Sequence, residues 1–519
     1  MTTADLRRPS RRGGLFPDLT IDRYNETISG QLEKKTWRTG SLCALTAAMT
    51  LLSSEGMRIA DSLDLVSNVL KANWLIPLPY FVIQIVGFQR GLTAGLLVDV
   101  DSIRERGDDL EGVRIIYTVT TKGENLATLR DTVESTLYWT GEVKRRHGLR
   151  FASEVWVVTE EGNYAENPEF YADLEEMGAI VVATPSKYET PLGSRFKTRA
   201  LQYAADLRRD RGIDGDHDWV YHQDTETMIG EDTVLGNLDF VLNADSGTVA
   251  GSGIILYPQG WGDGYTNLQE TTRSFADLSA AGQANLWGWV PFGYHGSHIL
   301  IRADAEAAVG WDYGRVRSED LLFSVRLRER FGRCIGAMKG FAYEKPPFTV
   351  RDHLKQRRRW ILGSFEVLRK KDVGLRKKAP IIYSAVSWLS ALPSLAATIF
   401  TLIHPSGGFI PYLSGAFTGL VWWSLFNSYM VGYELHRGYT GTRKGMVGFL
   451  RDTLVGMAAD ATAPWYALLS NTRGYEEISK DTPPVDDALD DESGYEGVEQ
   501  GGEGAEIPPV KDSDKGASG

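Results

Sequence analysis

The sequence of 519 residues contains only two cysteines, Cys43 and Cys334. This small number excludes a disulfide-built scaffold and a zinc site made of cysteine ligands. Cys43 lies in an apolar run and Cys334 in a predicted strand, so we expect both thiols to be buried in the core. The sequence also lacks a phosphate-binding P-loop, and no G-x-G-x-x-G pattern follows its first predicted strand. An ATPase or a dinucleotide-dependent enzyme is therefore disfavoured.

Charge is missing from one long stretch, because residues 379–433 contain no Asp, Glu, Lys or Arg. A membrane-spanning helix needs about 20 apolar residues. The stretch therefore predicts two spans, 379–403 and 412–433, separated by the turn-rich residues 404–408. The alternative is a buried helical hairpin in a soluble protein. It is disfavoured because soluble helices nearly always carry a charged outer face.

Three further apolar stretches are less clear. Residues 39–54 and 73–88 are short for spans, and we interpret them as an N-terminal membrane hairpin, with interfacial or re-entrant helices as the alternative. Residues 445–470 carry Arg451, Asp452 and Asp460. Charges inside a membrane are costly and need partners. We therefore favour an interfacial or protein-packed helix there, and a fifth span is the alternative.

Basic clusters predict the orientation of these segments. They lie at residues 7–12, 369–378 and 437–444, and positively charged flanks stay in the cytoplasm. The net charge of −12 comes mostly from residues 475–519, which hold 14 acidic residues and 3 lysines and are predicted to be disordered. We expect a multi-pass membrane protein with a cytoplasmic catalytic domain, divided into a basic N-terminus (1–36), an N-terminal membrane hairpin (37–90), the catalytic domain (91–378), a C-terminal membrane hairpin (379–433), an interfacial or membrane helix (434–474) and the acidic tail (475–519).

The central region reads as an α/β fold, because short β-branched runs alternate with helical spacing. Strands that alternate with helices predict a mostly parallel sheet, and such sheets bind ligands at the carboxyl ends of their strands. The predicted strands are 113–119, 154–159, 179–183 and 218–222, and the predicted helices are 125–140 and 196–208.

Two acidic patterns follow predicted strands or open helices. Asp224 and Glu226 come just after the fourth strand, where two carboxylates can share a hard cation such as Mg²⁺ or Mn²⁺. Taken alone, such a pair is common in loops. Glu319 and Asp320 open an apolar helix, where an acid serves either as a positioned general base or as a partner of the helix dipole.

A third pattern, Gln356-Arg357-Arg358-Arg359-Trp360, directly precedes the long uncharged stretch. One interpretation is a juxtamembrane basic cluster that binds anionic lipid. The other is a clamp for a diphosphate, because the arginine guanidinium is permanently charged and has fork geometry.

Together, D-x-E, E-D and Q-x-x-R-W, in this order and spacing, resemble the family 2 glycosyltransferases that include cellulose, chitin and hyaluronan synthases. The chain is more closely similar to the egghead-type β-1,4-mannosyltransferases. Thr225 departs from that pattern, which tends to carry a further acid there, so the donor preference stays open. The supporting segments are 219–227, 253–257, 318–320, 343–349 and 356–360.

The resemblance implies a GT-A fold, a Rossmann-like mixed sheet, flanked by transmembrane helices. It also implies inverting transfer of a hexose such as mannose, from a GDP- or UDP-sugar to a lipid-linked or glycolipid acceptor, with no nucleic-acid partner. By position, Asp320 is the general base beside Glu319, and Asp224 and Glu226 hold Mg²⁺ or Mn²⁺. The diphosphate would be stabilised by Gln356, Arg357 and Arg359, and the acceptor site walled by Trp360, which could instead anchor the chain at a membrane interface.

The remaining site residues are assigned by the same resemblance. Thr120 follows the first strand, and Glu160, or its neighbour Glu161, follows the second, where an acid binds the base or ribose. Lys197 resembles a basic residue beside the nucleotide, although any helix face carries such charges. His295 and Gly296 belong to the segment 293–297, which either lines the acceptor pocket or serves only as a turn.

Two other functions are disfavoured by the sequence. A catalytically dead membrane scaffold is disfavoured because all three motifs are intact. A processive polysaccharide synthase needs a channel for its polymer, and four or five spans favour a single transfer instead.

Overall fold

The computed structural model describes residues 18–52, 62–93, 95–258, 264–291, 295–403, 412–440, 446–470 and 478. These belong to one compact unit that ends at Asp481. The N-terminal basic cluster, residues 293–294, the break at 404–408, Arg443 and Lys444, and the acidic tail apart from Ile478 lie outside the described residues. The predictions made for those segments therefore stay predictions.

A mixed sheet of eight strands forms the centre of the fold. Its order is β3-β2-β1-β4-β7-β6-β8-β5. The β1–β2, β2–β3, β1–β4 and β6–β8 pairs are parallel, and the other three pairs are antiparallel. The strands are β1 Arg114–Thr120, β2 Ala152–Glu160, β3 Ile180–Thr184, β4 Asp218–Asp224, β5 Thr227–Ile229, β6 Ala250–Leu256, β7 Ile299–Arg302 and β8 Ile335–Glu344.

Helices cover the sheet and form a bundle beside it. Two short 3₁₀ turns, Asn73–Leu75 and Gly107–Leu110, accompany them. The helices are α1 Ile21–Glu33, α2 Lys35–Leu52, α3 Ser62–Ala72, α4 Leu78–Gly91, α5 Val100–Glu105, α6 Leu126–His147, α7 Glu161–Glu166, α8 Pro168–Glu176, α9 Lys197–Asp210, α10 Glu231–Asn243, α11 Gly264–Trp287, α12 Ala303–Val309, α13 Glu319–Phe331, α14 Val350–Arg369, α15 Leu375–Leu389, α16 Ala391–Ile403, α17 Leu413–Thr440 and α18 Met446–Leu469.

The parallel half of the sheet, β1 to β4, confirms the four predicted strands and the two predicted helices between them. Its register brings the predicted donor residues together. Thr120 lies opposite Asp224, and Glu160, two residues past the β2 partner of Thr120, ends its strand beside Thr184. Since parallel strands end at the same edge, the side chains that follow them share one face of the molecule.

The mixed half of the sheet, β5 to β8, is not predicted as a unit from the sequence, and in it only β6 and β8 pair in parallel. Most of its residues are apolar and fully buried, and the β6 run Ala250–Leu256 is buried at every position. A short apolar run of this kind fits a buried helix segment as well as a strand. Its pairing with β7 and β8 depends on contacts distant in sequence.

The bundle is built by close approach of α11 to α4. A Cβ added at Gly282 would lie 1.9 Å from the backbone oxygen of Gly87, so only glycine allows these helices to pack so closely. The same helix α11 packs against α17, which packs against α2, and α14 packs against α18. Helices from the predicted membrane segments therefore pack directly against helices of the predicted catalytic domain.

Within the described residues, one segment is long and apolar enough to cross a membrane, Leu375–Phe400, which joins α15 and α16. A second exists if Ser62–Leu75 and Leu78–Gly91, bent by 41° at their break, count as one span. The first segment coincides with the predicted span at 379–403. The arrangement with four or five spans stays a prediction.

The prediction for the cysteines is half right. Cys334 is buried, and burial raises the pKa of its thiol to about 12. Cys43 is exposed, so that prediction was wrong. The reason is that α2 packs against α17 through another face, on which Ser41 accepts a hydrogen bond of 2.9 Å from the Trp423 indole.

Candidate active site

A single cavity of about 2170 Å³ opens at the carboxyl ends of β1, β2 and β4. That volume exceeds the roughly 300–1,000 Å³ of a typical small-ligand pocket. Every site residue predicted from the sequence lines it, although these residues come from segments spread over 240 positions. They are Thr120, Glu160, Lys197, Asp224, Glu226, His295, Gly296, Glu319, Asp320, Gln356, Arg357, Arg359 and Trp360.

Acids of the predicted metal motif and of the predicted catalytic motif meet around one lysine. The Lys197 ammonium lies 2.5 Å from Asp224 Oδ1 and 3.1 Å from Glu319 Oε1. Burial raises the pKa of Asp224, but Lys197 outweighs burial and brings it below its ordinary value. Burial alone would lower the pKa of Lys197, but the negative charges of Asp224 and Glu319 raise it above the ordinary range. Both groups are therefore charged at neutral pH.

Asp320 has the opposite electrostatic environment. Burial, followed by the neighbouring charge of Glu319, raises its pKa to about 6. The Leu321 backbone N–H donates to Oδ1 at 2.7 Å, which fixes the carboxylate at the start of α13. A Cβ added at Gly296 would lie 3.4 Å from Oδ2, so glycine there leaves that oxygen accessible. Asp320 is thus ionised at pH 7 but more basic than an ordinary carboxylate, as a general base requires.

Lys197 is positioned by an unusual residue that sequence reasoning missed. Phe196 caps α9 with φ of 55°, in a region that side chains rarely adopt. Its ring is 62% exposed and lies 5.4 Å from the Lys122 ammonium. Strained backbone of this kind collects at functional sites. The sequence offers no local signal for this conformation. Glycine is the residue expected at a positive φ, and this position is occupied by Phe196.

At the end of β2, Glu160 is held by a basic partner. Arg199 Nη2 lies 2.5 Å from Glu160 Oε2, and the same guanidinium donates to the backbone oxygens of Pro185 and Tyr188. Glu161 instead accepts from the Ser186 backbone N–H at 2.8 Å. Of the two glutamates considered from the sequence, Glu160 is the one that lines the cavity.

His295 is held by residues of α11. Its Nε2 pairs with Asp277, and its Nδ1 lies 3.2 Å from Arg273 Nη2. The arginine donates to Nδ1, so the ring proton sits on Nε2 and points to Asp277. Both ring nitrogens are therefore paired within the protein, which fixes His295 in the wall of the cavity.

A buried polar cluster lies behind His295, and the sequence did not lead us to predict it. Glu344 accepts hydrogen bonds from Thr227, Tyr257 and Ser297, and burial raises its pKa. Arg273 Nη1 lies 4.0 Å from it. One signal was available in the sequence. Glu270, Arg273 and Asp277 recur at helical spacing, so α11 presents three charges on one face.

The helix that carries Q-x-x-R-W separates the two arginines that the sequence assigns to the diphosphate, Arg357 and Arg359. Arg359 lies near enough to Asp224 for its charge to lower the pKa of that carboxyl. Arg357 is 4% exposed, and its Nη2 lies 3.1 Å from Glu270 Oε1. The guanidiniums of Arg357 and Arg273 lie 4.3 and 4.9 Å from the centre of the Trp360 ring. Arg359 thus faces the acid cluster, whereas Arg357 faces α11.

The acids at the strand edge fit a divalent ion only together with a substrate. No group of three or more His, Cys, Asp or Glu side chains within the described residues could hold a metal by itself. Asp224 and Glu226 supply hard carboxylate oxygens. Both lie near enough to the buried Glu344 for their charges to raise its pKa. Mg²⁺ is commonly bound by one or two carboxylates plus substrate phosphates, so this donor set suits an ion that arrives with a diphosphate.

Comparison with known proteins agrees with this class of site. Residues 219–435 match the model of the glycosyl transferase family group 2. This match confirms, for these residues, the resemblance to family 2 glycosyltransferases inferred from the motifs.

Two curated relatives are more specific. The chain is 30% identical over 297 residues to β-1,4-mannosyltransferase egh of Drosophila melanogaster, covering 56% of this chain and 62% of that one. It is 31% identical over 226 residues to β-1,4-mannosyltransferase bre-3 of Caenorhabditis elegans, covering 42% and 48%. The chain thus spans less than two thirds of the length of these relatives.

Two solved structures are similar at 14% identity. Mannosyltransferase PcManGT from Pyrobaculum calidifontis, in complex with GDP-Man and Mn²⁺, superposes with a TM-score of 0.42 over 78% of this chain and all of that one. Glucosyl-3-phosphoglycerate synthase from Mycobacterium tuberculosis, in complex with Mn²⁺, UDP-Glc and glycerol 3-phosphate, gives 0.33 over 52% and 84%.

Proposed function

We propose that the protein is a membrane-embedded inverting glycosyltransferase with a GT-A catalytic domain, which moves mannose from a nucleotide sugar to a lipid-linked or glycolipid acceptor. One observation carries the proposal. A single cavity gathers the residues of three separate motifs and continues between the apolar helices α15, α17 and α18. The mannosyl donor is supported by the identity to the two β-1,4-mannosyltransferases.

In this mechanism Asp320 takes the proton of the acceptor hydroxyl. The acceptor oxygen then attacks the anomeric carbon from the face opposite the nucleotide, so the configuration inverts. Arg359 stabilises the charge that develops on the diphosphate. Asp224 and Glu226 would hold a divalent ion, whose charge offsets that of the leaving group when it is bound.

Lys197 has a second part in the same step. Its ammonium balances the charges of Asp224 and Glu319. It also lowers the pKa of Asp320, which therefore stays below neutral despite the burial of that carboxyl. Without that charge, three carboxylates would face each other in a partly buried site. The lysine therefore keeps the base ionised while it waits for the acceptor.

A processive polysaccharide synthase is the second candidate, and one observation favours it. The arm of the cavity between the helices is lined by hydroxyl and aromatic side chains, among them Ser387, Trp388, Trp422, Ser428 and Tyr429. Aromatic faces and hydroxyls suit a sugar chain better than a hydrocarbon tail. The two candidates differ in their product.

The proposed function is tested with membranes incubated with each radiolabelled nucleotide sugar. We expect label from one GDP- or UDP-hexose, GDP-mannose first, in the lipid extract as a product one sugar larger than its acceptor. Label in a high-molecular-weight polymer would support the processive synthase. Membranes carrying the Asp320→Asn variant are the control, and label incorporated equally by both would refute the proposal.

The topology gives a separate prediction. We expect a cysteine introduced at Ser406 to react with an impermeant maleimide in intact cells, and one at Ser186 to react only after the membrane is broken. Ser186 is exposed in the catalytic domain, and nucleotide sugars are cytoplasmic. The exposed Cys43 must first be replaced, whereas Cys334 can remain, because burial and the raised pKa of its thiol protect it. Labelling at Ser186 in intact cells would contradict the orientation.

A further inference from the structure

The apolar helix α18 has 24 residues and carries the acidic residues Asp452 and Asp460. A carboxylate in such a helix is costly unless it is paired. An ionisable residue in such a helix needs a partner and commonly marks a functional site. Asp460 has that partner in the structure, and its side chain is 27% exposed. It also lines the same cavity as the catalytic motifs.

The partners of Asp460 belong to the Q-x-x-R-W helix. Its Oδ1 lies 3.4 Å from Arg357 Nε and 3.4 Å from His353 Nε2. The backbone oxygen of Asp460 accepts a hydrogen bond of 3.2 Å from the Trp388 indole. Asp460 therefore fixes α18 to α14 and α15 at one point.

Arg357 is held from all sides. Besides Nε, its Nη2 lies 3.1 Å from Glu270 and its Nη1 is 3.4 Å from Gln356 Oε1. His353 Nδ1 shares Glu270 Oε1 at 3.0 Å. Two carboxylates thus balance the charge of Arg357, which leaves little of it for a diphosphate.

What Arg357 does offer the cavity is its face. The guanidinium lies 4.3 Å from the centre of the Trp360 ring, within the range of a cation–π contact. A planar group that is fixed at its edges holds the ring beneath it in one orientation. Arg273 lies at 4.9 Å from the same ring, and Arg357 is the nearer of the two guanidiniums. The position of Trp360 in the cavity therefore depends in part on Asp460, through Arg357.

We propose that Asp460 is a positioning residue, which orients Trp360 through Arg357 so that the ring forms the platform for the acceptor. The apolar helix α18 is then part of the acceptor site. The inference rests on the proposed transfer reaction. It changes the role of Arg357 from a diphosphate clamp to a support of the acceptor platform.

The test compares the KM values for the two substrates in the full-length protein. We expect Asp460→Asn to raise the acceptor KM about tenfold, since misplaced binding groups cost affinity and rate, and to leave the donor KM and the slow hydrolysis of donor without acceptor unchanged. Asp372→Asn is the matched control, because Asp372 also pairs with an arginine, Arg326, and lies outside the cavity. It should leave both KM values unchanged.

A double-mutant cycle separates positioning from a general loss of structure. Arg357→Gln should raise the acceptor KM as much as Asp460→Asn, and the double variant should add little, because both break one chain of contacts. Asp460→Glu, which keeps the charge and is the second variant if Asp460→Asn does not fold, should retain part of the acceptor affinity. A rise in donor KM in Asp460→Asn, or additive effects, would overturn the proposal. Absence of transfer by the wild-type protein would refute the proposed function instead.

Discussion

Replacing Asp320 by asparagine is expected to lower turnover by about 10²–10⁴-fold, the usual contribution of a general base. Asparagine keeps the size of the side chain and its hydrogen bond from the Leu321 backbone, so donor binding should stay near normal. The measurement is kcat with saturating donor and acceptor, together with the donor Kd. Turnover within a few-fold of wild type would show that Asp320 is not the base.

The pH profile gives an independent check on the same residue. With a pKa of about 6, the base is protonated in acid, so kcat/KM for the acceptor should fall below pH 6 and reach a plateau above it. Glu319 contributes to that pKa by charge repulsion. Glu319→Gln should therefore shift the acid limb to lower pH without removing it.

The sequence predicts the parallel half of this fold well because its signals are local. Each strand is a short β-branched run, and the helices between them have clear spacing. The site follows from the same rule, since Thr120, Glu160 and Asp224 end strands that pair in parallel register. The motifs at 319–320 and 356–360 join them in one cavity, which spacing alone could not show.

What the sequence does not predict depends on contacts between distant segments. Phe196 adopts a positive φ at the start of α9, and nothing in the residue itself requires that conformation. Arg357 and Arg359 cannot be distinguished by residue type. Their positions on the helix place Arg357 beside Glu270 and Arg359 towards Asp224. The burial of Glu270 likewise depends on α11 packing between the sheet and the apolar helices.

Removal of divalent metal is expected to lower the rate of transfer about as strongly as the loss of the general base. EDTA should lower transfer by about 10³-fold or more, because a metal ion contributes several kcal/mol of transition-state stabilisation and each 1.4 kcal/mol is tenfold. Mg²⁺ or Mn²⁺ should restore it. Asp224→Asn should lose the response to metal, because it removes a charged ligand. Asp173→Asn, which changes an exposed acid paired with Arg130, should respond like the wild type.

Binding can be measured apart from catalysis, by the loss of the free Mn²⁺ signal in electron paramagnetic resonance. The protein offers two carboxylates, and Lys197 occupies Asp224 Oδ1 at 2.5 Å, so Mn²⁺ alone should bind weakly. Adding a nucleoside diphosphate supplies the missing oxygen ligands and should tighten binding, except in Asp224→Asn. Transfer that persists in chelator, with no change in the Mn²⁺ signal, would contradict the metal site. Neutralisation of the leaving group would then depend on Lys197 and Arg359, two of the cations that lower the pKa of Asp224.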